Sequence, residues 1–329
     1  MTLQTSDAIE CEKALEEFPV HEPPLALIRF CGTHGLDILV GGKLKITPPR
    51  EFNDPFEFAP GIDPNFETHP PTADELRRHF LAKNGLPYHT FLTAWGNGNE
   101  ARYAEVVERR ILRPDLFSKH IQCMRAGITN GISCAYGVAC FSAFSADELG
   151  AAKAIRHWAA YADDHRGLAI EFDGQHPFFA NPAKAKQLFR VDYTDERPIC
   201  ALADFEDVRD PALLRILRVW AQRKSGEAWR CENEWRLIAP LSISTKNPII
   251  KAVSGERLLF FLSLWQPTSP DGRQSGAGQV IRRVILGSRT SSMLEASVRI
   301  ALNEPHLRHV ELCRAIENRS RFALDIIRI

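Results

Sequence analysis

Two glutamates, Glu232 and Glu234, are the side chains of this sequence best placed to do chemistry. They lie two residues apart at the start of a predicted strand, so both carboxylates are expected to project from one face. Two adjacent carboxylates repel each other, and such a pair suits a general base or a site that binds hydroxyl groups. Arg230 and Arg236 flank the pair, and the alternative interpretation is a surface ladder in which these arginines neutralise both acids.

A second candidate lies on a predicted helix, where His157, Tyr161 and His165 follow one another at intervals of four residues. Side chains at this spacing share a helix face, so the column predicts a proton relay or an aromatic clamp. The alternative is a helix end whose polar side chains are only solvated and capped. His157 and His165 do not have the four-residue spacing of a helical metal pair.

Arg29 is a charge inside the otherwise apolar strand segment Leu27–Phe30. An arginine that is buried or lies at the rim of a core has to be paired. We therefore expect Arg29 to meet either a carboxylate, such as that of Asp54, or a bound anion.

A polar turn is predicted where Asn53 and Asp54 precede Pro55, with Phe52 and Phe56 on either side. A rigid polar turn held on aromatic anchors is typical of a binding site. The alternative is an Asx-turn, in which the Asn and Asp side chains cap their own backbone.

Bulk properties exclude several classes of protein. Lys plus Arg and Asp plus Glu number 41 each in the 329 residues, so no overall charge attracts nucleic acid or an anionic membrane. The eight cysteines form no CxxC pair, and we expect no metal site. The Walker, GxGxxG, GxSxG and HExxH motifs do not occur, which removes the common nucleotide-binding, hydrolase and zinc-protease interpretations.

Without a secretion signal or an apolar run of about 20 residues, the sequence predicts a soluble cytoplasmic protein with no membrane partner.

Periodicity and turn residues predict an α+β fold. We expect a loose leader over residues 1–24 and a single domain over residues 25–329, with a helical insertion at about 66–132. The domain should contain a split mixed or antiparallel sheet, covering helices and the inserted helical layer. The predicted strands are Leu25–Phe30, Leu44–Ile46, Val138–Ser142, Leu168–Phe172, Phe189–Tyr193, Arg236–Ala239, Arg282–Leu286 and Ala323–Ile329, and the predicted helices are Thr33–Val40, Asp147–Asp164, Ala212–Lys224 and Ser291–Leu302.

The chain resembles the chiefly bacterial family known as domain of unknown function 2971. The resemblance spans roughly residues 25–329 and implies no reaction, because the family is poorly characterised. The motifs that carry it are the Leu36–Phe56 unit with Asn53-Asp54-Pro55-Phe56, the Phe141-Ser142 strand that leads to His157-Trp158, Tyr161, His165 and Gly167, and the block Glu232-Asn233-Glu234-Trp235-Arg236.

A weaker resemblance is to ADP-ribosyltransferases of the arginine-serine-glutamate class, because Arg29, Ser142 and Glu232-x-Glu234 occur here in that order. The resemblance implies an ADP-ribosyltransferase-like fold with NAD as substrate. Arg29 would bind the NAD phosphates or ribose, and Ser142 would orient the loop beside the nicotinamide. Glu234, with Glu232 beside it, would hold a ribose hydroxyl and stabilise an oxocarbenium-like transition state. The further candidates for NAD contact are Asn53, Asp54, His157, Tyr161 and His165.

The function expected from these resemblances is NAD-dependent ADP-ribosyl transfer by a toxin or phage-defence effector with a cognate antitoxin or defence partner. Its acceptor, a macromolecule or a small molecule, is not apparent in the sequence. One alternative is a magnesium-dependent nuclease that uses Asp54, Glu171 or Asp173 with Glu232 and Glu234. The other is a non-catalytic sensor or interaction subunit of a defence system.

Overall fold

The structure is a computed structural model that describes residues 22–59, 61–62, 130, 133–134, 136–149, 152–180, 187–197, 199–200, 223–241, 249–255, 257–264 and 280–329. The predicted leader, the predicted helical insertion and the predicted helix Ala212–Lys224 lie, apart from a few residues, outside this part of the chain. None of the described helices is both long enough and apolar enough to cross a membrane.

The described part of the chain contains both strands and helices, so the α+β prediction is confirmed at that level. The helices are α1 (Leu36–Gly41), α2 (Ala146–Leu149), α3 (Ala152–Tyr161), α4 (Pro177–Ala180), α5 (Gly226–Trp229) and α6 (Ser292–Leu302), with 3-10 turns at Thr33–Gly35, Pro49–Glu51 and Arg230–Glu232. The strands are β1 (Ala26–Cys31), β2 (Lys43–Ile46), β3 (Gly61–Ile62), β4 (Tyr136–Ser142), β5 (Leu168–Asp173), β6 (Gln187–Arg190), β7 (Asp192–Thr194), β8 (Ile199–Cys200), β9 (Arg223–Ser225), β10 (Glu234–Pro240), β11 (Ile249–Ser254), β12 (Arg257–Ser263), β13 (Ile281–Leu286), β14 (Glu311–Glu317) and β15 (Leu324–Arg328).

The chain divides into two compact units, and each is described by itself. The first unit comprises Met1–Phe18, Pro49–Cys134 and Thr194–Ser225. Within its described residues β3 pairs in parallel with β8. The guanidinium of Arg197 donates to the carbonyl oxygen of Ala59 at 3.0 and 2.7 Å and lies over the ring of Phe56.

The second unit comprises Pro19–Pro48, Ala135–Tyr193 and Gly226–Ile329, and it is built on an eight-stranded sheet. The strand order, over the described residues, is β15-β14-β13-β5-β1-β4-β10-β6. The sheet is mixed, because β13 and β14 are parallel whereas the other neighbours are antiparallel. β1 and β4 pair at Ile28 and Ser142, and further along β4 the backbone of Val138 pairs with Thr47 instead. The two strands therefore share a single backbone residue pair before they separate.

Apolar side chains cover both faces of this sheet. On one face Ile28 and Ala169 pack with Trp158 of α3. The other face carries a larger core, to which α1 and α6 contribute Leu39 and Val298. A second sheet in this unit has the order β11-β12-β2. The helix α3 therefore packs against the first face.

Local chemistry explains where several helices begin and end. α1 stops at Gly42, whose φ of 57° is left-handed, a conformation that glycine adopts readily at the end of a helix. The hydroxyl of Ser291 caps α6 by accepting a hydrogen bond from the backbone of Leu294 at 3.2 Å. The single helix predicted over Asp147–Asp164 is wrong, because the structure has α2 and α3 in its place and α3 ends at Tyr161.

Candidate functional site

Buried polar side chains concentrate on the sheet face that α3 covers. Five of the nine buried polar or charged residues in the described part of the chain lie on α3, at the end of β4, or at or just before the start of β10: Ser142, His157, Glu232, Glu234 and Arg236. Tyr161 borders them and is 41% exposed. We call these six residues the polar cluster. Because a buried polar group costs stability unless it is partnered, such a concentration is the natural place to look for a functional site.

Glu232 and Tyr161 form the contact at the solvent edge of the polar cluster. The hydroxyl of Tyr161, on the last residue of α3, donates a hydrogen bond to Oε1 of Glu232. Glu232 is buried and ends the 3-10 turn Arg230–Glu232. The contact fixes the orientation of this carboxylate beside a partly exposed aromatic ring. An oriented carboxylate at such a position can bind a hydroxyl group or stabilise a positive charge that develops during a reaction.

His157 lies one helical turn before Tyr161 and is almost fully buried. Its ring packs between Phe30 at 5.3 Å and Phe144 at 4.9 Å, measured between ring centroids. The ring of Tyr161 is 5.8 Å away. The predicted neighbourhood of His157 and Tyr161 is therefore present, and the phenylalanines hold the imidazole in place.

Glu234 has a different partner from Glu232. Its carboxylate accepts hydrogen bonds from Nε of Arg236 at 2.8 Å and from Nη2 at 3.2 Å. The two side chains are only 5% and 1% exposed. The backbone N–H of Glu234 also donates to the hydroxyl oxygen of Tyr193 at 2.8 Å. The alternative interpretation of a surface ladder agrees with the structure in one respect, because Arg236 neutralises Glu234. The two side chains meet in the interior, however, and not on the surface.

Ser142 is placed beside this ion pair by strand register. It lies directly opposite Glu234 of β10 on one side and Ile28 of β1 on the other. Directly opposite residues of antiparallel strands project from the same face. The sheet therefore brings Ser142 and Glu234 together on one face.

Arg29 is not part of the polar cluster. It is one residue beyond Ile28 on β1, so it projects from the opposite face of the sheet. Its guanidinium lies 5.9 Å from the ring centre of Phe141 and donates to the carbonyl oxygens of Cys140 at 3.5 Å and Lys45 at 3.3 Å. Within the described part of its unit, Arg29 contacts no carboxylate. The resemblance assigns Arg29 and Glu234 to one NAD site, but alternation along β1 places Arg29 on the sheet face opposite Glu234.

His165 is also separated from the polar cluster. Asp163, Asp164 and His165 have φ angles of 50°, 49° and 68°, so α3 cannot continue through them. The ring of His165 lies nearly parallel to that of Trp158, with 6.3 Å between centroids. The predicted column of three rings thus ends at Tyr161.

Asn53 and Asp54 belong to the other unit. There Oδ1 of Asp54 accepts a hydrogen bond from the backbone N–H of Phe56 at 2.9 Å, which is the Asx-turn weighed above as an alternative. The rings of Phe52 and Phe58 lie 6.1 Å apart beside this turn. A role of Asn53 and Asp54 in binding NAD stays a prediction.

The acids proposed for a nuclease on β5 are paired with arginines. Nε of Arg283 donates to Glu171 at 2.9 Å, and Asp173 meets Arg282 at 2.9 Å. Burial acts to lower the pKa of Arg283, but the hydrogen bond and charge of Glu171 outweigh it and raise that pKa above its usual value. Among the described residues, no group of three or more His, Cys, Asp and Glu side chains is arranged to hold a metal ion.

Two contacts that the sequence did not suggest hold the Glu232 segment. Nη1 of Arg156 on α3 donates to Sγ of Cys231 at 3.5 Å. Asn233, between the two glutamates, has a left-handed backbone and bonds to Ala143. Asn is one of the few residues that tolerate this conformation, and that was the signal available in the sequence.

Comparisons with models of protein families, with curated proteins and with solved structures give no match to this chain. The two resemblances described above therefore stay predictions.

Proposed function

We propose that this protein is an ADP-ribosyltransferase-like enzyme that cleaves NAD, with Glu232 as the acting carboxylate. The observation that carries the proposal is the hydrogen bond between Tyr161 and Glu232 at the exposed edge of the polar cluster. It supports a role for Glu232 because it supplies an oriented carboxylate next to a ring that solvent and substrate can reach. Glu234, which the resemblance implied as the catalytic acid, is engaged by Arg236 instead.

The proposed reaction is transfer of ADP-ribose from NAD to an acceptor. The bond between the nicotinamide nitrogen and C1 of the ribose breaks, and nicotinamide leaves with the electron pair. Positive charge then develops on the ribose ring, where the Glu232 carboxylate stabilises it. The acceptor forms the new bond to C1 and releases a proton. Tyr161 keeps the carboxylate directed at the ribose, and its exposed ring supplies a surface for stacking.

The neighbouring ion pair supports the choice of one acting acid. Two free carboxylates side by side would repel each other, whereas the charge of Glu234 is balanced by Arg236 in the interior. Arg29 lies on the other face of the sheet, so the proposal assigns the NAD phosphates to a group other than Arg29.

The separation of β1 from β4 after Ile28 and Ser142 supports the finer part of the fold prediction, a split sheet of the ADP-ribosyltransferase-like kind. A nuclease is less well supported, because Glu171 and Asp173 are both neutralised by arginines. The wider proposal of a toxin or defence effector, with an antitoxin or defence partner, follows from the same NAD chemistry, since loss of NAD harms the cell that contains the enzyme.

The test is release of nicotinamide from NAD by the full chain, with water as acceptor, together with the melting temperature with and without NAD. We expect NAD to raise the melting temperature and nicotinamide to appear. Glu232→Gln should abolish release at an unchanged melting temperature. The exposed Glu227, five residues earlier in the chain, provides the control, and Glu227→Gln should behave like the wild type. Absence of both responses to NAD in the wild type would contradict the proposal and favour the non-catalytic interaction subunit.

A further inference from the structure

Asn233 occupies the position that decides where the two glutamates point. Its φ and ψ angles of 44° and 52° are left-handed, and it joins the 3-10 turn Arg230–Glu232 to β10. A left-handed residue breaks the regular alternation of a strand. The sequence had suggested that Glu232 and Glu234 lie side by side on one strand face. In the structure they do not, and Glu232 bonds to Tyr161 whereas Glu234 bonds to Arg236.

Two hydrogen bonds hold Asn233 in this conformation. Its side-chain amide, through Nδ2, donates to the carbonyl oxygen of Ala143, and its own carbonyl oxygen accepts from the backbone N–H of Ala143 at 2.9 Å. Both bonds go to Ala143, which directly follows Ser142, the last residue of β4. The turn that carries Glu232 is thereby fixed to the strand end that carries Ser142, over a separation of 90 residues in the chain.

We propose that Asn233 is a positioning residue of the NAD site, which holds the Glu232 carboxylate on the Tyr161 hydroxyl and keeps Glu234 on Arg236. The inference rests on the proposed function, since it assigns Asn233 a task in that reaction. Asn233 does not touch the substrate. It acts through the direction that it gives to Glu232. The neighbouring Cys231 is held in addition by the hydrogen bond from Arg156.

The residue type fits this task better than its possible replacements. Glycine adopts the left-handed conformation but has no side-chain amide. Aspartate also tolerates the conformation, but it presents an acceptor oxygen to the Ala143 carbonyl in place of the donor. Asn233→Gly and Asn233→Asp therefore keep the turn accessible and remove the bond from the side chain to Ala143.

The experiment measures nicotinamide release and the NMR signal of isotope-labelled tyrosine in the full chain. Tyr161→Phe identifies the Tyr161 signal among the five tyrosines. We expect Asn233→Gly and Asn233→Asp to lower kcat by about 10²-fold, as misplacement of a catalytic group does. KM should change by less than about threefold, because ground-state binding is retained. The Tyr161 signal should move to the position it takes in Glu232→Gln.

A matched control is available in Asn318, whose amide bonds to Asp325 at 3.0 Å in the turn between β14 and β15. Asn318→Gly also removes an asparagine bond in a turn, and should leave kcat and the Tyr161 signal unchanged. A wild-type kcat and an unmoved Tyr161 signal in both Asn233 variants would overturn the inference. If the wild type releases no nicotinamide, the proposed function fails, and the Tyr161 signal alone decides whether Asn233 positions Glu232.

Discussion

At the scale of single residues, the account depends on the different surroundings of Glu232 and Glu234. One carboxylate bonds to a half-exposed tyrosine, and the other is enclosed with Arg236. Residue types and spacing were enough to select both acids, His157 and Tyr161 as candidates. They could not assign Tyr161 to Glu232, because 71 residues separate the two in the chain and only the folded sheet brings them together.

The buried ion pair gives a stability prediction. Arg236→Leu leaves the Glu234 carboxylate buried without its counter-charge, and should lower the free energy of unfolding by about 3–5 kcal/mol. The double variant Glu234→Leu with Arg236→Leu should recover most of this loss, because neither charge then remains. Urea unfolding measures both values.

The control for this prediction is Arg299, whose bond to Glu295 lies on the surface of α6. Arg299→Leu should cost no more than about 1 kcal/mol, as exposed pairs do. A loss in Arg236→Leu as small as that in Arg299→Leu would show that Glu234 does not depend on its partner.

A second prediction concerns pH and His165. Burial, followed by the charge of Arg289, lowers the pKa of His165 below its ordinary value of 6.5. Below pH 6.5 the unfolded chain therefore binds this proton before the folded protein does, and stability falls as the pH falls. His165→Asn keeps a residue that tolerates φ of 68° and removes the titrating group.

Urea unfolding between about pH 7 and pH 5, the range around the ordinary histidine pKa, is the corresponding measurement. The wild type should lose more stability on acidification than His165→Asn. Equal losses in the two proteins would mean that burial of His165 does not hinder its protonation.

At the scale of elements, the sequence predicted the strands and helices whose ends are marked by clear turn or capping residues. β1, β4, β5 and α6 lie within one or two residues of their predicted bounds. β12 was missed because its run Leu258-Leu259-Phe260-Phe261-Leu262 does not alternate, and such a run fits a helix as well as a strand. β14 was missed because charged residues interrupt its apolar pattern.

The end of α3 was predicted too late for a different reason. Three successive non-glycine residues with left-handed backbone are not expected from propensity. Packing against the turn after β13 holds them: the backbone N–H of Arg289 donates to the carbonyl oxygen of His165 at 3.0 Å, and that of Gly287 donates to Gly167 at 3.0 Å. Tertiary contacts thus override the helical pattern.

The close contact between the turn after β13 and the residues after α3 predicts the effect of adding a single methyl group at Gly287. A Cβ at Gly287 would lie 2.1 Å from the backbone oxygen of His165, so Gly287→Ala should destabilise the fold by about 1–3 kcal/mol. At Gly41 a Cβ would meet only the side chain of Lys43, at 3.5 Å or more, and Gly41→Ala should be neutral or slightly stabilising. Thermal unfolding compares the two variants. Equal melting temperatures would contradict the described approach of the two turns.

At the scale of the whole molecule, every residue of the polar cluster belongs to the second unit, which the chain builds from three separate segments. The balanced charge of the sequence gives no indication of where such a site lies. Sequence patterns predicted the strands and helices. Which side chains share a face of the sheet depends on the register in which the strands pair. That is why Arg29 was grouped with the acids and the structure separates them.

The proposed effector role makes a prediction for living cells. Expression of the full chain in a bacterial host should slow growth and lower the NAD content of the cells. Glu232→Gln should relieve both effects, whereas Glu227→Gln should not. Slow growth that persists in Glu232→Gln, at matched protein levels, would assign the toxicity to another property of the molecule.

The most direct measurement of the central claim compares nicotinamide release by Glu232→Gln and Glu234→Gln, each corrected for its folded fraction. The account predicts that Glu232→Gln melts like the wild type and loses at least about 10²-fold in turnover. Glu234→Gln should melt at a lower temperature, because the buried Arg236 loses the charge of Glu234, while its folded fraction still releases nicotinamide. A stable, inactive Glu234→Gln beside an active Glu232→Gln would contradict the account.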